Sequence, residues 1–215
     1  MKKLFKFFAM PCIAVASLFA LGSLTSCSSD DDDDNGPSGS GSASGSITLD
    51  GKTTKMISGA VYVYEDGETE IQLSSLDFNK YLNNPGKLPS HYDGDVIIHI
   101  ESEIPDSKTI TVTPDKYEIE FSKDINRTDD PDYEGFKSEY AWAWCNFDNY
   151  LQAKTPGNMT VSRNGLNYTI SVETIWLFGG KGCDGWENMS FDPRFSWAQG
   201  SLKWSGKLID MSDYE

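Results

Sequence analysis

Hydrophobic and polar residues alternate with a period of two along most of the chain from Ile47 onward. In one segment Val96, Ile98 and Ile100 occupy alternate positions, and His99 is among the residues between them. This alternation is typical of a β-strand with one face against a hydrophobic core and the other toward solvent. The pattern predicts strands over residues 47–49, 61–64, 71–73, 96–101, 110–112, 117–122, 139–147, 159–161, 168–172 with its continuation at 175–177, and 202–208.

Two glycine-containing pairs predict tight hairpin turns between these strands. Asp50-Gly51 follows the strand at 47–49, and Asn164-Gly165 separates the strands at 159–161 and 168–172. Such pairs favour type I′ turns, because both central residues of that turn need a positive φ. The second pair gives the clearest predicted hairpin in the chain.

About nine or ten short strands, with turns roughly every 8–12 residues, predict an all-β fold. We expect a single antiparallel β-sandwich or barrel-like domain over residues 47–215. Outside a short turn around residues 76–82, no segment has a sustained helical period, and no repeat of fixed length indicates a solenoid. Trp142, Trp144, Trp176 and Trp204 lie on strand-like segments, and we assign them to core packing.

The first 26 residues have the features of a secretory signal. Lys2, Lys3 and Lys6 precede an apolar stretch over residues 7–21, and small residues follow it. The stretch is shorter than the roughly 20 residues that a membrane-spanning helix needs. We therefore expect residues 1–26 to be a signal peptide and the mature chain to have no membrane-spanning helix.

The end of this signal reads Leu24-Thr25-Ser26-Cys27. It resembles the lipobox of bacterial lipoproteins, in which an aliphatic residue and two small residues precede the lipidated cysteine. The resemblance implies cleavage before Cys27, diacylglycerol on its sulfur and a further acyl chain, such as palmitate, on the new amino terminus. Each buried methylene contributes about 0.8 kcal/mol, so three chains would hold the protein on a membrane. An ordinary secretory signal with an incidental cysteine is the alternative.

A flexible acidic linker over residues 27–46 follows the lipobox. Residues 30–34 are five aspartates, and residues 35–46 consist of Asn, Gly, Pro, Ser and Ala. Such a coil of about 18 residues has a root-mean-square span of about 24 Å. The acidic run resembles the export signal of surface lipoproteins of the Bacteroidetes type, which implies an outer-membrane protein displayed at the cell surface. An acidic tether that faces the periplasm is the alternative.

The domain itself resembles small β-rich lipoproteins of unknown function from gut Bacteroidetes. The likeness rests on Leu49-Asp50-Gly51-Lys52, on the segment at 157–170 with its Asn164-Gly165 turn, and on Ser205-Gly206-Lys207-Leu208. It supports the all-β prediction and implies no activity.

The charge of the chain excludes one class of partner. With 33 acidic and 18 basic residues, the formal net charge is −15. A surface this acidic repels phosphate backbones and offers no basic patch to anionic lipid. We expect no nucleic-acid binding, and we expect contact with the membrane only through the lipid anchor.

Two cysteines remain in the predicted domain, Cys145 and Cys183. Outside the inner membrane such a pair tends to oxidise, and a bridge would close a loop of about 38 residues, with a stabilisation of about 3–4 kcal/mol. Two unpaired thiols are the equally weighted alternative.

No residue pattern predicts a metal or another cofactor. The two histidines, His91 and His99, do not lie at zinc-site spacings, and His99 is expected to point outward from its strand. The acid-rich segment at 124–134 begins like a calcium loop, but it lacks the central glycine and the final glutamate. We expect a solvated loop there.

No catalytic motif is present either. The sequence contains no G-x-S-x-G, no phosphate-binding glycine loop and no H-E-x-x-H. The glycine-rich residues 179–182 precede no helix, and Glu118 and Glu120 alternate as glutamates do on the solvent face of a strand. We therefore expect a protein that is not an enzyme.

The strongest candidate for ligand binding is the stretch at 183–197, which is expected to be a loop. Trp186, Phe191, Phe195 and Trp197 lie there among acidic and amide side chains. Aromatic rings beside hydrogen-bonding groups are typical of glycan-binding sites, so we expect a binding module for glycan. The same residues could instead pack back on the sheet as a cluster of their own.

Two other functions fit the sequence. An exposed edge strand could pair with another protein, as in an adhesin or an accessory subunit of a surface assembly. A barrel could also hold a small apolar ligand in its interior.

Overall fold

The computed structural model describes residues 43–82, 88–128, 135–144, 154–183 and 194–212. These residues form twelve strands of one mixed sheet that is not closed, and the all-β prediction is confirmed. The strands are β1 (Ser44–Leu49), β2 (Lys52–Met56), β3 (Ser58–Val63), β4 (Thr69–Ser74), β5 (His91–Ile100), β6 (Lys108–Val112), β7 (Tyr117–Thr128), β8 (Gly135–Trp144), β9 (Met159–Asn164), β10 (Asn167–Lys181), β11 (Ser196–Lys207) and β12 (Ile209–Asp210). A short helix, α1 (Phe78–Leu82), lies within the predicted turn at 76–82, and a 3-10 turn spans Pro114–Lys116.

The strand order across the sheet is β12-β3-β4-β5-β7-β8-β10-β11-β1-β2. The long strand β10 has two neighbours on one side, because its first half pairs with β9 and its last four residues pair with β8. β9 in turn pairs with β6. Neighbouring strands run antiparallel except β12, which runs parallel to β3.

The two ends of the strand order lie close together in space. β2 ends at Met56 and β3 begins at Ser58, so Ile57 alone joins strands from opposite ends of the order. Leu208 likewise joins β11 to β12. Since one residue spans less than 4 Å, the sheet must curl around its interior until its ends meet. The result is a sandwich-like shell without a closing ladder of hydrogen bonds.

One hydrophobic core fills this shell with the inward side chains of nearly every strand. Trp144 and Trp204 are among its largest members and are 1% and 2% exposed. Tyr117 is also buried, and its hydroxyl donates to the carbonyl of Gly157 at 2.7 Å. The assignment of Trp144 and Trp204 to packing is correct, and Trp142 packs partly buried against the same core.

A β-bulge explains how β10 continues as one strand although its core-facing positions change from even to odd residue numbers. Tyr168, Ile170 and Val172 face the core at even positions, whereas Ile175 and Leu177 face it at odd positions. The register with β11 shifts between Val172 and Ile175. The extra residue of a bulge changes the parity of the inward positions without ending the strand.

The predicted turn at Asp50-Gly51 is confirmed. Leu49 pairs with Lys52, so these two residues form the whole loop between β1 and β2. Their φ angles are 47° and 76°, as a type I′ turn requires.

The turn predicted at Asn164-Gly165 lies one residue further along the chain. Asn164 pairs with Asn167, so Gly165 and Leu166 form the loop. Gly165 has φ 58°, which suits the first position of a type II′ turn. Leu166 packs against the core, and the Gly165 amide donates a hydrogen bond to Asp106 Oδ1 at 2.6 Å. Both contacts favour the shifted turn.

Several strand boundaries differ from the predicted ones, and three of these differences bear on the predicted linker, loop and binding segments. β1 begins at Ser44, within the segment assigned to the linker, because residues 44–46 pair with both β11 and β2. β7 continues to Thr128, so the first half of the segment at 124–134 is strand and not loop. β11 begins at Ser196, which places Trp197 on a strand.

Candidate binding site on the outer sheet face

Three aromatic side chains point away from the core on adjacent strands β10 and β11. Ile175 and Leu177 face the core, so Trp176 and Phe178 lie on the opposite face of β10. Ala198 faces the core on β11, so Trp197 takes an outward position directly opposite Phe178, and part of its side chain also packs against the main core. With Phe195, they form what we call the aromatic strip: Trp176, Phe178, Phe195 and Trp197.

Phe178 is the centre of this strip. Its ring centroid lies 5.5 Å from that of Trp197 and 6.4 Å from that of Phe195, the latter in an edge-to-face arrangement. Phe195 is only 7% exposed, whereas Trp176, Phe178 and Trp197 are half-buried. Phe195 is therefore the buried member of the strip, and the side chains of Trp176 and Trp197 are partly exposed.

Small residues let β8 and β10 approach closely beneath the strip. Ala141 and Ala143 are buried on the outer face of β8, and a side chain at Gly179 would collide with the carbonyl of Ala141. Larger residues at these positions would push the strands apart or cover the aromatic rings. The sequence thus leaves the outer face shallow where the aromatic residues stand.

Polar groups lie beside Trp176. The ammonium of Lys154 is 3.8 Å from the centroid of its indole ring, a cation–π contact. Gln199 is its cross-strand partner on β11 and is exposed. The assignment of Trp176 to the core is wrong, since the bulge in β10 turns this residue outward.

The structure brings together two of the four predicted binding residues. Phe195 and Trp197 meet in the aromatic strip, but Phe195 is a buried part of it. Trp186 and Phe191 lie outside the described residues, and their part in binding stays a prediction.

Cys183 is buried in the small cluster under the strip, with Ala141 and Phe195. The amide of the preceding residue, Gly182, donates to the carbonyl oxygen of Glu139 on β8. Cys145 lies outside the described residues, so its pairing with Cys183 stays a prediction.

A second group of polar side chains crosses the outer face of strands β3, β4, β5 and β7. Tyr62, Glu70, His99 and Glu118 are successive cross-strand partners, and we call them the acidic row. The Tyr64 hydroxyl donates to Glu70 Oε2 at 3.0 Å, and His99 Nε2 lies 3.3 Å from Glu68 Oε2. His99 points outward as expected, yet its side chain is only 18% exposed.

The carboxyls of the acidic row are not ordinary solvent-facing groups. Burial raises the pKa of Glu118 to about 7, with smaller contributions from the charges of Glu101 and Glu68. Burial also raises the pKa of Glu70, and its contacts with Tyr64 and His99 partly offset that effect. The interpretation of Glu118 as a plain solvent-facing residue is wrong. The charge on this part of the surface depends on pH near neutrality.

Within the ranges given above, no group of three or more His, Cys, Asp or Glu side chains could hold a metal ion. No helix of the described residues is long and apolar enough to cross a membrane. No known protein family, curated protein or solved structure matches the chain.

Sequence reasoning missed Trp176 and Phe178 as candidates. Both lie on a strand whose neighbouring residues alternate regularly, so the pattern by itself assigns them no special place. The sequence did contain a sign of the bulge. Ile170 and Leu177 are an odd number of residues apart, so they cannot both face the core on a regular strand. A bulge between them turns Trp176 to the outer face.

Proposed function

We propose that the protein is a lipid-anchored, surface-exposed outer-membrane protein that binds glycan without altering it. The aromatic strip would be its binding site, and the linker at 27–46 would hold the domain away from the membrane. The lipobox and the acidic run support the location, and the geometry of the strip supports the binding.

One observation carries this proposal: two half-buried tryptophans stand on adjacent strands at outward positions, and neither is among the fully buried residues of the main core. Large aromatic residues contribute most to stability when fully buried, as Trp144 and Trp204 are. Indoles left partly open on a sheet face are typical of a surface that binds a partner.

The chemistry around these rings suits a sugar. The apolar face of a pyranose ring can stack on an indole, while its hydroxyl groups need donors and acceptors close by. Gln199 offers both kinds of group, and the Lys154 ammonium offers donors. The Lys154 contact is at the surface, where such a contact contributes about 0.5–1 kcal/mol, so a ligand could displace it.

The test is affinity electrophoresis of the full chain through gels that contain mannan, xylan, laminarin, pectin or dextran. We expect retardation by at least one polysaccharide, and about a tenfold weaker affinity for Trp176→Ala or Trp197→Ala, equivalent to about 1.4 kcal/mol. The matched control is Tyr62→Ala, which removes a half-buried aromatic residue from the outer face of β3 and should leave retardation unchanged.

Absence of retardation by every polysaccharide would contradict the proposal, as would equal effects of Tyr62→Ala and Trp176→Ala. A protein that is recovered in stoichiometric amount with the chain from intact membranes, together with no retardation, would favour the accessory-subunit alternative.

A further inference from the structure

A shallow groove crosses the outer face of the sheet on β6, β9, β10, β11 and β1. Its volume is about 650 Å³. Most of its described lining residues alternate with core-facing neighbours and therefore belong to the outer face: Ser44, Thr109, Ser162, Asn164, Asn167, Thr169 and Ser205. These side chains are all neutral, and each can both donate and accept hydrogen bonds.

Two cationic residues border the groove, but they belong to the core-facing side of their strands. Lys108 precedes Thr109 on β6, so the alternation of side chains puts it on the opposite face from that hydroxyl. Arg163 follows Ser162 on β9 and takes the core-facing side in the same way. Its Nη1 donates to the carbonyl of the buried Ile104 at 2.8 Å, which agrees with this placement. The outer side of the groove therefore offers hydrogen bonds without charge, as a neutral ligand requires.

Five hydroxyl side chains form a row along the floor of the groove, and we call them the hydroxyl row. They are successive cross-strand partners on β6, β9, β10, β11 and β1: Thr109, Ser162, Thr169, Ser205 and Ser44. Neighbouring strands are about 4.8 Å apart, so the row extends over about 19 Å at right angles to the strands. A linear chain of sugar residues that follows the row would meet a hydroxyl group at each strand.

Contacts between neighbouring hydroxyls hold the row in place. Thr109 Oγ1 lies 2.7 Å from Ser162 Oγ, and Thr169 Oγ1 lies 3.1 Å from Ser205 Oγ. Each hydroxyl has one donor and two acceptor positions, so each of these pairs keeps hydrogen-bonding capacity for a ligand. Because the side chains are already ordered, a ligand that binds them costs little further side-chain entropy.

The groove and the aromatic strip lie on the same face of the same two strands. Thr169 and Trp176 are both on β10, and Ser205 and Trp197 are both on β11. These positions are seven and eight residues apart, which corresponds to a separation of about 20–26 Å along the strands. One polysaccharide chain can therefore reach both sites if it is long enough. A second contact on the same chain is intramolecular, so it raises the affinity beyond that of either site alone.

We propose that the groove is a second binding site for a neutral, linear polysaccharide, and that the protein holds internal segments of this chain at the hydroxyl row and the aromatic strip together. This inference rests on the proposed function and names its ligand class. The neutral side chains of the row support it, and so does the net charge of −15, which repels polyanions.

The test measures affinity as a function of ligand length. Calorimetry of the full chain compares mannan, xylan, laminarin and dextran with their own oligosaccharides of about two to eight sugar residues, and polygalacturonate is the charged comparison. For at least one neutral polymer, we expect the longest oligosaccharides to bind at least about tenfold more tightly than the shortest that bind. Binding to polygalacturonate should be weaker. The gain with length should disappear in Trp176→Ala, because that variant keeps only one of the two sites intact.

Thr169→Val tests the row itself, since it removes one exposed hydroxyl and leaves a residue that suits a strand. It should weaken binding of the longest chains about two- to tenfold, the value of one hydrogen bond. The matched control is Thr53→Val. Thr53 is also exposed and also lies beside another hydroxyl, that of Thr48 at 2.9 Å, but it is on β2 and outside the groove. We expect no change of affinity in this control.

The inference and the proposed function fail in different ways. Binding that is lost in Trp176→Ala but does not depend on chain length, or equal effects of Thr169→Val and Thr53→Val, would overturn the second site alone. Tighter binding to polygalacturonate than to every neutral polymer would also overturn it. No binding to any of the polymers would overturn both proposals.

Discussion

Asp95 is a buried carboxyl, and the hydrogen-bond partners that it has in the described part of the chain are neutral side chains. It is 5% exposed, and the Tyr92 hydroxyl donates to its Oδ2 at 2.7 Å. Burial raises its pKa to about 6, although hydrogen bonding by Ser74 and Tyr92 favours the charged form. The residue lies on the outer face of β5, next to the segment that leads into α1.

This raised pKa predicts that Asp95 makes folding dependent on pH. A carboxyl whose pKa is higher in the folded than in the unfolded state stabilises the fold most below its ordinary pKa of 3.8, and that contribution is lost as the pH rises through 6. Asp95→Asn should therefore increase the free energy of unfolding at pH 8, by up to about 3 kcal/mol. Urea denaturation from pH 4 to 8, followed by tryptophan fluorescence, measures the change.

Asp93→Asn is the matched control, since it removes an exposed carboxyl from the same strand. A gain in stability for Asp95→Asn that is the same at pH 4 and pH 8 would contradict this explanation, as would an equal gain for Asp93→Asn.

At the scale of the strands, β1 and β11 approach so closely that a glycine is needed between them. A side chain at Gly200 would collide with the carbonyl of Thr48. Gly200 pairs with Leu49 on one side and with Ile175 on the other, so the contact lies inside the sheet.

We expect Gly200→Ala to lower the free energy of unfolding by about 3 kcal/mol, because the added methyl group must push β1 away from β11. Gly157→Ala provides the comparison, since a side chain there would meet Thr174 at an ordinary 3.4 Å. Thermal unfolding of the two variants, followed by circular dichroism, measures the difference. A Gly200→Ala protein as stable as Gly157→Ala would show that β1 and β11 can separate without a loss of folding free energy.

Much of the fold could be predicted from the sequence because one face of most strands is buried. The alternation at 96–101 and the Asp50-Gly51 turn required no knowledge of neighbouring strands. The bulge in β10 and the shifted turn at Gly165 could not be found in this way, because both depend on long-range contacts. The bulge depends on the register with β11, and the shifted turn depends on the hydrogen bond from the Gly165 amide to Asp106 Oδ1.

The candidate sites were predicted less well for a related reason. Phe195 and Trp197 drew attention because they lie in an aromatic-rich stretch, but their partner Phe178 is 17 residues away from Phe195 along the chain. Five side chains with hydroxyl groups are successive cross-strand partners on β6, β9, β10, β11 and β1: Thr109, Ser162, Thr169, Ser205 and Ser44. A serine or threonine on the outer face of any single strand is ordinary. Only the register of the sheet shows that these residues form a row.

At the scale of the whole molecule, the proposed anchor and the binding face can be tested separately. Replacement of Cys27 by alanine should release the chain from the membrane fraction and remove the acyl mass from its amino-terminal peptide, because the thiol is the proposed site of lipid attachment. Ser28→Ala, one residue further along the chain, should leave both unchanged. Cell fractionation and mass spectrometry provide the readouts, and a Cys27→Ala chain that stays in the membrane fraction would contradict lipid anchoring at this cysteine.

The pairing of β1 with β11 bears on the proposed export of the chain. Ser44 on the first strand is the partner of Ser205, so the sheet cannot be completed until almost the whole chain is present. Contacts between residues so distant in sequence form slowly, which delays folding of sheet proteins in general. A polypeptide that crosses a membrane from its amino terminus would thus stay unfolded, and competent for translocation, until β11 has emerged on the far side.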